Sequence, residues 1–205
     1  MLFSLKCAWS RLVHPCTNKP AIRHTRERYL LPKEWARVKA LLDRKPPKVR
    51  VYFYVLILEG PRMSEARLME WAHVDLQAGL WYKPITKTRK AQTLALSHQA
   101  CYLLETLPRT SRYVFPGESE HVPWSPTAVL YHWYKIRAAA GCPDVQIRDL
   151  RRTCASWLAM QGESTLIIQN VLNHSSLAVT QVYARLDQRS VRQALDRHGA
   201  RLMQS

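Results

Sequence analysis

Acidic residues are scarce in this chain. Aspartate and glutamate number 15 among 205 residues, against 31 lysines and arginines, for a formal net charge of +16. Such a field suits a polyanion, and nucleic acid is the commonest one. A ribosome-like or merely very soluble basic protein would carry the same field. The basic residues run along the whole length rather than in a tail, which favours a folded basic surface. Cysteines are few and odd in number: Cys7, Cys16, Cys101, Cys142 and Cys154 are widely spaced, with no pair at zinc spacing. That argues against a disulfide framework and makes a reduced, cytosolic protein the expectation. Long apolar runs are missing as well. The longest, Val51 to Leu58, falls far short of the ~20 residues of a membrane helix. Met1 to Val13 is apolar enough to suggest a signal peptide, but Lys6 and Arg11 interrupt it and no small-residue cleavage site follows. There is no internal repeat and no low-complexity tract. A soluble protein with no membrane segment is expected.

The chain is 47% hydrophobic, enough for one substantial core with room for a small appendage. Leu2, Leu5, Cys7, Ala8, Trp9, Leu12 and Val13 have helical spacing, ended by His14-Pro15 and followed by a polar connector to Arg28. Pro32 opens a helix over Lys33 to Leu42, with Trp35, Val38, Leu41 and Leu42 on one side, and Pro46-Pro47 breaks it. Val49 to Glu59 is apolar nearly all round and reads as a buried helix, or, from its Val, Tyr, Phe and Ile content, as a buried strand. Gly60-Pro61 turns the chain, and Met63 to Trp71 resumes a helical period. Leu80 to Ile85 and Gln92 to Leu96 read as two short strands joined by the basic tip Thr86-Lys87-Thr88-Arg89-Lys90-Ala91. Ser97 caps a helix to Leu107, and Tyr113 to Pro116 is extended. Ser125-Pro126 starts a helix ended by Gly141. Ile147 to Met160, Ser164 to Leu172, Leu177 to Leu186 and Gln188 to Met203 are further helical periods. The expected fold is mainly α with one small antiparallel β-sheet or hairpin.

Near the C-terminus a histidine, His174, precedes a tyrosine, Tyr183, by nine residues. A phenol has a pKa near ~10, so about one in a thousand is ionised at neutral pH. To attack phosphorus it needs cations around the phosphate, a route for its proton, and an acid for the leaving oxygen. Lys87 at a hairpin tip could swing into a cleft, although most tip lysines are merely solvated. Arg62 stands three residues before Glu65, a spacing that also makes an ordinary helix-surface ion pair of little worth. Arg148 and Arg151 lie at i and i+3 on one helix with Arg152 beside them. Three arginines in five residues are either exposed or meet phosphate, for which the guanidinium fork is well suited. His174 has no other ligand-type residue at metal spacing, and a structural histidine or an ordinary buried tyrosine would read the same in isolation. Their order is more specific than any one of them.

Together, Arg62, Lys87, Arg151, His174 and Tyr183 resemble the tyrosine recombinase, or phage integrase, family. Gly60-Pro61-Arg62-Met63-Ser64-Glu65 is similar to its first arginine box, and Thr86 to Lys90 to the hairpin carrying its lysine. Asp149-Leu150-Arg151-Arg152-Thr153 resembles the second box. Leu172-Asn173-His174-Ser175-Ser176 and Gln181-Val182-Tyr183-Ala184 resemble the last. The resemblance implies the family's mostly helical catalytic-domain fold and a metal-free transesterification needing no cofactor. Tyr183 would attack a scissile phosphodiester of double-stranded DNA, leaving a 3′-phosphotyrosine bond and a 5′-hydroxyl. Arg62 and Arg151 would clamp the non-bridging oxygens, His174 would donate to one of them, and Lys87 would protonate the leaving oxygen. A homo-oligomer, a tetramer on DNA, is implied. Residues 1–28 would be the remnant of a last core-binding helix plus linker, 29–187 the catalytic domain, and 188–205 a C-terminal helix exchanged between protomers or packed on its own core.

The sequence departs from the family pattern in three places. Arg148 stands where the second box usually begins with histidine, and an arginine cannot accept the phenol's proton; a third phosphate contact is the expectation for it. Asn173 replaces a common glycine, a change that left-handed backbone tolerates. Most of the family's N-terminal clamp has no counterpart here, so weaker DNA binding with a smaller salt slope is expected. Site-specific recombination of mobile DNA, by integration or excision, is the leading expectation. A topoisomerase IB-like nick-and-seal activity and an inactive DNA-binding remnant are the alternatives.

Overall fold

The computed structural model describes residues 27–84 and 91–172. The expected helix at the start of the chain, the hairpin tip with Lys87, and everything from Asn173 onward, with His174 and Tyr183, lie outside the described residues. Helix α1 (Pro32–Leu42) begins on a proline, whose missing N–H costs nothing at a first helical position. Glu34 in its first turn accepts from the Leu31 N–H at 2.9 Å and pairs with Arg28 at 2.6 Å. Burial of α2 (Pro47–Leu58) decides between helix and strand in favour of helix. Pro47 opens α2 rather than merely ending α1, and α1, α4 and α6 pack around it. Intrinsic strand preference is weak beside that tertiary burial. Tyr52, Phe53, Phe115 and Trp133 are among the largest fully buried side chains. Edge-on contacts from Tyr52 to Phe53, Phe115 and Trp124 knit this centre together.

The helical period expected over Met63 to Trp71 divides. Helix α3 (Met63–Arg67) is short, and a 3₁₀ turn follows at Trp71–His73. Between them Met69 and Glu70 pair with the extended stretch around Tyr113 and Val114, which draws the backbone out of the helix. A three-stranded antiparallel sheet comes next, in the order β1 (Val74–Asp75), β2 (Leu80–Lys83), β3 (Gln92–Ala95). Strand β1 is an addition to the two strands read from sequence. Trp81 faces Leu94 and Lys83 faces Gln92 across β2 and β3. The alternation along β2 turns Trp81 and Lys83 inward and leaves Leu80 and Tyr82 exposed.

Helix α4 (His98–Glu105) is capped by Ser97, which accepts from the Ala100 N–H at 3.3 Å. Helix α5 (Pro126–Ala139) is capped likewise by Ser125, at 3.1 Å. Helix α6 (Ile147–Met160) carries the second arginine cluster, and α7 (Thr165–Leu172) packs on it through Ala155, Ala159, Ile168 and Leu172. Segment 27–31 is strapped along α6: the Leu30 N–H donates to Thr153 Oγ1 at 2.9 Å and Trp157 Nε1 donates to the Leu30 carbonyl at 3.1 Å. Among the described residues no helix is long and apolar enough to cross a membrane.

Candidate active site

Two arginines fixed by separate parts of the chain define the candidate site. Arg62 is the N-cap residue of α3, and Glu65 in the first helical turn reaches back to it. One Glu65 oxygen accepts from the Arg62 backbone N–H at 3.0 Å and the other from Arg62 Nη1 at 2.7 Å. A carboxylate at that end of a helix is favoured by the unpaired N–H groups there. This is not the loose surface pair that the spacing also allowed. The Glu65 side chain is only 10% exposed, and it takes a third partner, Lys83 Nζ, at 3.1 Å.

Lys83 is the residue that sequence reading missed. It ends β2 on the inward side, 5% exposed, with its ammonium 5.1 Å from the Trp81 ring centroid. The signal was available: a lysine two residues from a tryptophan in a short strand must share the tryptophan's face. Burial pushes the Lys83 ammonium below the usual lysine range. Glu65 opposes that shift, while the positive charges of Arg151 and Arg62 add to it. Burial pushes the Glu65 carboxyl up, but the Arg62 N–H and the Lys83 charge outweigh it and hold the group below its ordinary value.

Arg151 comes from α6 and is half-buried. Its Nη1 donates to the Gly60 carbonyl at 2.6 Å and its Nη2 to the Leu172 carbonyl. One guanidinium therefore ties the turn just before Arg62 to the end of α7. Gly60 has φ +61°, and a Cβ there would lie 3.0 Å from Leu172 Cδ2 and 3.2 Å from Cys154 Sγ. The glycine is thus required by both its backbone and its neighbours. Arg148, one turn before Arg151, is exposed, whereas Arg152 pairs at 2.9 Å with the fully buried Asp149. Asp149 also holds the start of α6, accepting from the Gln146 N–H at 2.8 Å. The three arginines thus have three different surroundings: Arg148 is exposed, Arg151 staples two segments, and Arg152 is ion-paired.

A cavity of about 420 Å³ opens beside this cluster, lined by Arg62, Glu65, Trp81, Lys83, Pro84 and Tyr113 among others. Its cations are Arg62 and Lys83, and its two carboxylates are already ion-paired, Glu65 with those cations and Glu70 with Arg112 at 2.6 Å. It therefore suits an anion that is flanked by something flat or apolar. Of the residues expected to act, the described structure brings Arg62 and Arg151 to one place and leaves Arg148 exposed on the same helix as Arg151. Lys87, His174 and Tyr183 lie outside the described residues. Among the described residues no group of three or more His, Cys, Asp or Glu side chains is arranged to hold a metal ion.

Residues 28–190 match the phage integrase family. The chain belongs to that family. Relatives within it include the tyrosine recombinase XerC of Rhizobium meliloti (strain 1021), 36% identical over 152 residues, which is 67% of this chain and 45% of the relative. XerC of Xanthomonas axonopodis pv. citri (strain 306) is 28% identical over 144 residues, 67% of this chain and 47% of that one. A shufflon-specific DNA recombinase of Escherichia coli is 28% identical over 91 residues, 44% and 24% of the two lengths. The chain spans about half the length of these curated relatives, or less. Among solved structures, XerA recombinase aligns with a TM-score of 0.69 at 22% identity, covering 83% of this chain and 63% of that one. The catalytic domain of bacteriophage HP1 integrase aligns at 0.61 and 20% identity, covering 82% and 93%. At these identities the structural likeness carries the fold, which is that of a tyrosine recombinase catalytic domain.

Proposed function

We propose that this phage integrase family chain is a DNA strand transferase, acting in site-specific recombination by a phosphotyrosine mechanism. The observation that carries the reading is the joining of Arg62 and Arg151: Arg151 is bonded to the carbonyl of Gly60, two residues before Arg62. Two forked cations fixed by different helices can grip two non-bridging oxygens of one phosphodiester and gather charge as it develops in the transition state. Tyr183 is the nucleophile, its phenol giving its proton to water or a phosphate oxygen and its oxygen bonding to phosphorus as the bond from phosphorus to the 5′-oxygen breaks. Lys87 gives the departing 5′-oxygen a proton, and His174 donates to a non-bridging oxygen. Attack by a 5′-hydroxyl on the phosphotyrosine then reverses the exchange with another strand, so the number of phosphodiester bonds is unchanged. Arg148 is a further phosphate contact from the exposed face of α6.

The substrate in this reading is double-stranded DNA, in keeping with the +16 charge and with a related structure, XerH, solved bound to its difH substrate. Several protomers would assemble on that DNA, as the lambda integrase tetramer does on a Holliday junction. Residues 29–187 form the catalytic unit, and the helical period of 188–205 is the segment offered to a neighbouring protomer. Mobile DNA is the proposed target class, supported by the family's integrase members. Single-turnover cleavage of nicked duplexes tests the arginine pair. Arg62→Ala and Arg151→Ala should each slow cleavage by ~10²–10³, as loss of one preorganised donor does. Wild-type rates in both variants would remove the basis of the reading.

A further inference from the structure

Lys83 is a buried cation that the reaction just described does not use. Its surroundings are specific. Glu65 divides its two oxygens: Oε1 faces Arg62 Nη1 at 2.7 Å, while Oε2 takes the Arg62 backbone N–H at 3.0 Å and Lys83 Nζ at 3.1 Å. Lys83 and Glu65 are nearly enclosed, but the Arg62 side chain is 32% exposed and lines the cavity. One carboxylate therefore serves two cations, one sealed in and one facing outward.

That division matters for an anion site. A buried carboxylate with a single cationic partner binds it tightly and becomes a competitor for any phosphate approaching that guanidinium. A second, sealed cation takes up part of the carboxylate's charge, so the carboxylate still orients Arg62 but holds it less strongly. We propose that Lys83 is a positioning residue of this site: by sharing Glu65 it keeps the Arg62 guanidinium aimed at the cavity and available to a phosphate. The role rests on the reading of Arg62 as a phosphate ligand. Because Lys83 ends β2 opposite Gln92 at the start of β3, it also ties that end of the strand pair to the arginine's carboxylate.

A double-mutant cycle tests this with the full chain, using inorganic phosphate as the probe in calorimetric titration and a nicked duplex in single-turnover cleavage. Lys83→Met should weaken phosphate binding and slow cleavage by about tenfold, within the range of couplings between contacting groups. In a Glu65→Gln background, where there is no carboxylate charge to share, the same substitution should change either quantity by less than about twofold. Lys83→Gln, which keeps a donor without the charge, should behave as Lys83→Met does and stands in for it if methionine disturbs the sheet. An equal loss in both backgrounds would show that Lys83 acts directly on the anion and would overturn the positioning role. No loss in the wild-type background would overturn it too. The two readouts separate this role from the recombinase reading. Phosphate affinity that follows the cycle in a chain unable to cleave DNA would keep the role and sink the reading. Cleavage that ignores Lys83→Met would do the reverse.

Discussion

Gly60→Ala concentrates several consequences of the fold in one methyl group. At φ +61° an alanine has to adopt left-handed backbone, which costs about 1–2 kcal/mol. Its Cβ would also meet Leu172 Cδ2 at 3.0 Å and Cys154 Sγ at 3.2 Å, and such overpacking adds about 1–3 kcal/mol. The expected loss is therefore about 2–5 kcal/mol, combining the backbone and packing costs. Gly141 supplies the control, because its φ is +67° but nothing lies within 4 Å of the Cβ position. Gly141→Ala should cost the backbone term alone, about 1–2 kcal/mol. Urea denaturation of both variants with a common m-value gives the comparison. Gly60→Ala should also slow DNA cleavage, since the Gly60 carbonyl is an anchor of Arg151. Equal losses of stability in the two variants would refute the packing argument. A cleavage rate unchanged by Gly60→Ala would refute the link from that turn to the arginine pair.

Three further outcomes are expected. Glu65 titrates below its ordinary value in the folded chain, so its contribution to stability is present above the unfolded carboxylate pKa of about 4.3 and is lost as pH falls through the folded value. The stability difference between wild type and Glu65→Gln should accordingly shrink between about pH 5 and pH 3 in urea titrations, and a constant difference would contradict the assignment. Burial pushes the Cys154 thiol up to about 12, so iodoacetamide at about pH 8 should leave it unmodified in the folded chain and label it after unfolding, as peptide mass spectrometry would read. Arg148→His introduces a group able to accept the phenol's proton at neutral pH. The cleavage-versus-pH profile should move to lower pH, and an unchanged profile would remove Arg148 from the site.

Periodicity made the helices legible where one face is buried and the other wet: α1, α4 and α6 carry that pattern and its caps. It could not decide α2, because an element covered on all sides has no period to read, and only the packing around it resolves helix from strand. Met63 to Trp71 kept a helical spacing, yet Met69 and Glu70 pair with a stretch more than forty residues on, a contact that local sequence does not carry. Arg62 and Arg151 were singled out by their order in the chain, and the described structure brings them together. What sequence could not show was that the turn at Gly60 joins them, or that Glu65 is held from a third side. Lys83 was overlooked because an isolated lysine in a strand is ordinarily solvated. Its inward register follows from sharing a face with Trp81, which is set against Leu94.

The central claim is that Tyr183 becomes covalently joined to DNA, and trapping tests it most directly. The full chain is mixed with supercoiled plasmid and with a pool of nicked duplexes, stopped with detergent, and the DNA-linked peptide is identified by mass spectrometry. The account predicts a nucleotide attached through a 3′-phosphate to the peptide containing Tyr183, and no adduct from Tyr183→Phe. An adduct that survives in Tyr183→Phe, or one mapped to another residue, would contradict it.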